Sequence, residues 1–102
     1  VMRLIVMFDL PTLTEENRRD YRQFRKALIS SGFIMMQESI YVRITTNKQS
    51  AKLLENQLQK IAPSAGVIQT LMVTEKQYAS MNFLVGESKK DIRNSAGRLI
   101  VI

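Results

Sequence analysis

GFIMMQESIYVRITTN, residues 32–47, decides the fold. It is rich in β-branched and aromatic residues, which fit a pleated, half-buried surface. It is also longer than one ordinary strand of about 3–10 residues. The stretch therefore reads as two strands with a reversal near Gln37–Ser39. Upstream, RLIVMFDL at 3–10 is a first strand whose continuous apolar run predicts burial on both faces, and Pro11 ends it. Thr12 or Thr14 then caps a helix with Glu15 and Glu16 in its first turn, where carboxylates complement the helix dipole. That helix runs to about Ser31 and stops at Gly32, a residue suited to a left-handed C-terminal cap.

Downstream, Asn47 caps a second helix over 48–62, in which Ala51, Leu54, Leu58 and Ile61 form one stripe. Pro63 and Gly66 close it, VIQTLMVTE at 67–75 is a fourth strand, and NFLVG at 82–86 is a further strand candidate. The order β-α-β-β-α-β predicts an α+β, ferredoxin-like fold: a four-stranded antiparallel sheet with both helices on one face. We expect this unit over residues 1–86, with 87–102 a linker and terminal strand, in a single domain overall. The terminal RLIVI, 98–102, follows the polar segment GESKKDIRNSAG and has no obvious place in that sheet. An uncovered apolar strand pairs either within its own sheet or with another chain. Arg98, Leu99, Ile100, Val101 and Ile102 are accordingly the expected dimer-interface residues.

Composition narrows the chemistry. The chain has no cysteine, which removes disulfides, thiolate nucleophiles and cysteine-based zinc sites, and no histidine, the usual general base near neutral pH. Catalysis, if present, runs on carboxylates, hydroxyls and cations, with magnesium as the natural hard ion. No apolar stretch approaches the roughly 18 residues of a membrane span and no signal peptide is visible, so the chain reads as soluble and cytoplasmic. The six methionines, Met35–Met36 among them, read as adaptable core filling.

Fifteen basic against nine acidic residues give a net charge of +6, which points to a polyanionic partner. The distribution sharpens this. At about 100° per residue, Tyr21, Phe24 and Leu28 fall on one stripe of the first helix, and Arg18, Arg19, Arg22, Arg25 and Lys26 fill a neighbouring arc of roughly 120°. A solvated face normally mixes signs. Such an arc either pairs with local acids or contacts phosphate, and arginine's planar fork favours phosphate. Lys89, Lys90 and Arg93 form a second basic cluster near the C-terminus.

Asp9 closes the first strand just before Pro11. A carboxylate there is a turn or cap residue, or a metal ligand. One carboxylate without histidine makes a poor acid–base pair, so catalysis would require a second copy, two Asp9 side chains sharing magnesium to activate water for phosphodiester cleavage.

FDLPT after the first strand, YRQFRKALISSGF along the helix and QESIY in the following strand resemble the CRISPR-associated protein two family. The matching positions are Phe8–Asp9–Leu10, then Arg22 and Lys26 with Gly32, then Gln37, Ser39, Ile40 and Tyr41. RLIVI looks like the family's last strand, which joins the partner's sheet, and FDLP with TEKQY (74–78) is most similar to the branch accompanying type II-A systems. The opening Val1–Met2 departs from the family and implies a trimmed or extended start. The resemblance implies a homodimeric, DNA-binding scaffold in spacer acquisition. It would sit between two dimers of the CRISPR-associated integrase, called protein one, in a heterohexamer holding a double-stranded prespacer and CRISPR repeat DNA. The family is also labelled a magnesium-dependent endonuclease acting on single-stranded RNA or double-stranded DNA, with an aspartate corresponding to Asp9 as metal ligand and catalytic residue. The competing reading is an unrelated RNA-binding or ribosomal module on the same fold.

Overall fold

The computed structural model describes residues 1–87 of the 102-residue chain. The expected exchange strand at Arg98, Leu99, Ile100, Val101 and Ile102 and the cluster Lys89, Lys90 and Arg93 lie outside the described residues. The elements are β1 (Met2–Asp9), α1 (Glu15–Ser30), β2 (Ile34–Gln37), β3 (Ile40–Thr45), α2 (Lys48–Ile61), β4 (Val67–Thr74) and α3 (Glu75–Ala79). Through β4 this is the expected β-α-β-β-α-β order. The sheet is antiparallel throughout, with strand order β2-β3-β1-β4, as a ferredoxin-like fold requires.

Local chemistry accounts for the boundaries. Thr14, not Thr12, caps α1: its hydroxyl accepts from the Asn17 backbone N–H, and the Asn17 side chain accepts from the Thr14 N–H. Past the end of α1, Gly32 turns at φ 88°. Arg43 on β3 adds a cation there, Nη1 donating to the Ser31 carbonyl at 2.7 Å, because the last turn of α1 carries no basic residue of its own. The β2–β3 reversal falls where the length of 32–47 requires it, with Ser39 at φ 66°.

Leu4, Val6, Phe8 and Leu10 form the core with Phe24 and Leu28 of α1, Tyr41 of β3, and Ala51 and Leu58 of α2. Phe8 is its aromatic centre, edge-on to Tyr21 and Phe24 and stacked on Tyr41 at 5.8 Å. On the sheet face opposite α1 and α2 Ile5 is also buried, flanked in register by Val42 and Leu71, which explains the continuous apolar run of β1.

Two expectations are corrected. Residues 82–86 form no strand; the chain instead makes α3 directly after β4, and Leu84 and Val85 are exposed. Thr74 caps α3 in a capping box with Gln77, a signal present in TEKQ but masked by the apolar run that follows. Ile61 is half exposed rather than part of the α2 core stripe, because α2 ends there as the chain turns into Ala62–Pro63. The helix α3 is tied back to the start of β1 by Arg3, which makes two bonds to Glu75 at 2.6 and 2.8 Å and stacks over the Tyr78 ring.

Candidate nucleic-acid interface and carboxylate site

The phase of α1 is set by Phe24 and Leu28, both fully buried, which turns the basic arc outward. Arg25 bonds to Tyr41 on β3, whereas α2 reaches β4 through Glu55, which accepts from the Thr70 hydroxyl. These bonds put α1 on the β3 side of the sheet and α2 on the β4 side. The arc consequently looks away from α2, toward the β2 edge.

All five cations are exposed, yet they differ. Arg18 folds back so that Nη1 donates to the Thr12 and Leu13 carbonyls at 3.1 and 3.2 Å. Arg25 Nε donates to the Tyr41 hydroxyl at 2.8 Å. That bond raises the Arg25 pKa above its ordinary value, with smaller contributions from the charges of neighbouring groups including Glu38. Arg19, Arg22 and Lys26 make no ion pair among the described residues, where the salt bridges are Arg3–Glu75 and Lys52–Glu55. The arc is therefore not neutralised by local acids.

Asp9 is exposed at the end of β1 and lines a shallow depression of about 300 Å³ with Met7, Phe8, Glu38, Ser39, Ile40, Val67 and Gln69. The Phe8 N–H donates to the Ser39 carbonyl at 3.0 Å, fixing the end of β1 against the β2–β3 reversal. Among the described residues the Asp9 carboxylate accepts no hydrogen bond; Arg18 and the Thr14–Asn17 capping box take up the polar groups of the turn. It does not serve as the cap of α1.

Three functional features escape a linear reading of the chain. Glu38 is a second carboxylate in the Asp9 depression, and the antiparallel register Met7↔Ile40 is the signal that places it there. Tyr41 stands in the sequence as a motif position, with nothing to mark it as the partner of Arg25. Gly66 presses against the Asp9–Leu10 backbone, a contact with no local signal because the residues are distant in sequence. Asp9 and Glu38 offer the oxygen donors that a hard divalent ion takes, although no group of three or more acidic, histidine or cysteine side chains gathers among the described residues. No helix among those residues is long and apolar enough to cross a membrane.

The chain is similar to known proteins of one family. The family described as CRISPR associated protein Cas2 matches residues 2–81. The CRISPR-associated endoribonuclease Cas2 of Lacticaseibacillus rhamnosus is 54% identical over 101 residues, 99% of this chain and 100% of that protein. The proteins of the same name from Ligilactobacillus salivarius and Treponema denticola are 52% and 46% identical, again over 99% of this chain and 100% of each relative. Likeness of this extent sets aside an unrelated RNA-binding or ribosomal module. A family match over residues 2–81 and relatives of this identity across nearly the whole chain show that the protein belongs to the Cas2 family of CRISPR-associated proteins.

Proposed function

We propose that this chain is a homodimeric DNA-binding scaffold in CRISPR adaptation. It bridges two dimers of the CRISPR-associated integrase in a heterohexamer that carries a double-stranded prespacer to the repeat DNA of the array. The observation that carries this reading is the one-sided arc of α1, with Arg19, Arg22 and Lys26 exposed and without acid partners among the described residues. Cations so arranged bind the phosphate backbone and give affinity without sequence preference. The sheet face opposite α1 and α2 supports a dimer: Ile34, Ile44, Val67 and Leu71 are each more than half exposed on it. FDLP and TEKQY support the type II-A branch.

The test is binding of a labelled DNA duplex by the reconstituted complex across a salt series. Replacing Arg19, Arg22 and Lys26 with Gln is expected to weaken binding and to flatten the salt slope by about 0.9 for each phosphate no longer neutralised. An unchanged slope would remove Arg19, Arg22 and Lys26 from the interface.

A second reading, nucleic-acid hydrolysis, is favoured by the names of the relatives and by Asp9 and Glu38 lining one exposed depression. Asp9 of both subunits, with Glu38 in the same depression, would hold magnesium, which supplies activation of water for attack on a phosphodiester. Asp9→Asn keeps the shape of the side chain and removes the charge. Under the scaffold reading integration survives this change, while any cleavage by the isolated dimer disappears. Loss of integration in a variant that still folds, dimerises and binds the integrase would overturn the scaffold reading.

A further inference from the structure

Among the described aromatic residues Tyr41 is the most deeply buried, at 1% exposure together with Phe24, and its ring stacks on Phe8. A phenylalanine would satisfy that packing. The hydroxyl instead reaches the flank of α1 and accepts from Arg25 Nε at 2.8 Å. Arg25 is the arc member closest to the buried stripe, about 40° around the helix from Tyr21, so it alone can reach back to the sheet while its tip stays in solvent. Nε is one of the five N–H donors of the guanidinium, and the end-on Nη pair remains for a bidentate acceptor.

Resting on the phosphate-binding reading of α1, we propose that Tyr41 is a positioning residue for DNA: its buried hydroxyl holds Arg25 with the outer guanidinium edge preformed to receive a duplex phosphate. Arg18 is held too, by the Thr12 and Leu13 carbonyls. The two anchored arginines are seven residues, or two turns, apart on one face, so their backbone positions are about 10.5 Å apart along the helix. Arg19, Arg22 and Lys26 have no such anchor among the described residues. Two cations held in place suit a rigid array of phosphates better than a flexible single strand, which adapts to cations wherever they stand. The anchored pair therefore selects duplex over single strand, and the three unanchored cations add affinity for both. Ordering Arg25 in advance also removes rotamer entropy that it would otherwise lose on binding.

The experiment compares full-length wild type, Tyr41→Phe, Arg25→Lys and the double variant for binding to a fluorescein-labelled DNA duplex and to its single strand, by anisotropy over a salt series. Tyr41→Phe removes no charge, so the salt slope stays constant while duplex affinity falls by about two- to tenfold, the range of one hydrogen bond. Binding to the single strand changes less. Arg25→Lys keeps the charge but loses the fork and gives a similar loss, and the double variant loses no more than either single one. Thermal melts check that Tyr41→Phe is folded; if it is not, Arg25→Lys carries the duplex-against-strand comparison alone. Wild-type duplex affinity in Tyr41→Phe, additive losses in the double variant, or equal losses on duplex and single strand would each overturn the proposal. The Arg19, Arg22 and Lys26 to Gln variant separates the two claims. If it leaves duplex binding intact, the phosphate reading of these three cations fails; if it weakens binding while Tyr41→Phe does not, only the positioning role fails.

Discussion

Gly66 lies directly against the backbone of Asp9. A Cβ at Gly66 would stand 2.7 Å from the Asp9 carbonyl oxygen and 2.8 Å from Leu10 Cδ2, and Gly66 itself has φ 95°. The α2–β4 connection thus packs on the residue that presents the candidate metal ligand, with no room for a side chain between them. Backbone atoms cannot yield as the tip of a flexible side chain can. Gly66→Ala is expected to destabilise the fold by about 1–3 kcal/mol, from left-handed strain with the clash added. Urea unfolding measures this, and any displacement of Asp9 appears as shifted amide resonances at residues 8–10.

Asp9 itself carries little of the fold. Its side chain is exposed and accepts no hydrogen bond among the described residues. Asp9→Ala should change stability by no more than about 0.5 kcal/mol, as for a surface substitution. A loss well above that value would mean that the carboxylate is a structural turn residue.

Leu28 is the reverse case. It is fully buried and fixes the phase of α1, so Leu28→Ala should cost about 2–5 kcal/mol by leaving a cavity under the helix. The same variant should weaken DNA binding even where it remains folded, because the basic arc is oriented by that packing. Denaturation and duplex binding at a temperature below the transition read the two effects separately.

The Arg3–Glu75 pair makes stability depend on acid. The hydrogen bonds from Arg3 hold the Glu75 carboxylate below its ordinary pKa of 4.5. A depressed carboxylate stabilises the fold at pH above the unfolded-state value, and that contribution disappears as pH falls through the folded value. Glu75→Gln should therefore melt lower than wild type at neutral pH, with the difference closing below about pH 4.5 as wild-type Glu75 takes up its proton. The gap should also shrink in high salt, because Glu75 is partly exposed.

The order of the elements, the caps at Thr14 and Asn47, the turn at Gly32 and the buried stripe of α1 are all legible along the chain. Each rests on neighbours within a few residues or on helical periodicity, which a linear reading contains. The length of 32–47 requires a reversal, and the reversal is there. The helix α3 is legible as well, through the Thr74–Gln77 capping box, but the apolar run after it mimics a strand.

What tertiary structure alone decided is which of these local features meet. Asp9 and Glu38 line one depression because β1 and β3 pair antiparallel, and Gly66 reaches Asp9 because β4 pairs with β1 at Val67. Helical phase puts Arg25 nearer the buried stripe than Arg22, but only the packing of α1 on the sheet brings it to Tyr41. Such meetings depend on register and on the packing of a helix against a sheet. These are set by the whole core at once, so the residues concerned leave no mark on one another's immediate sequence.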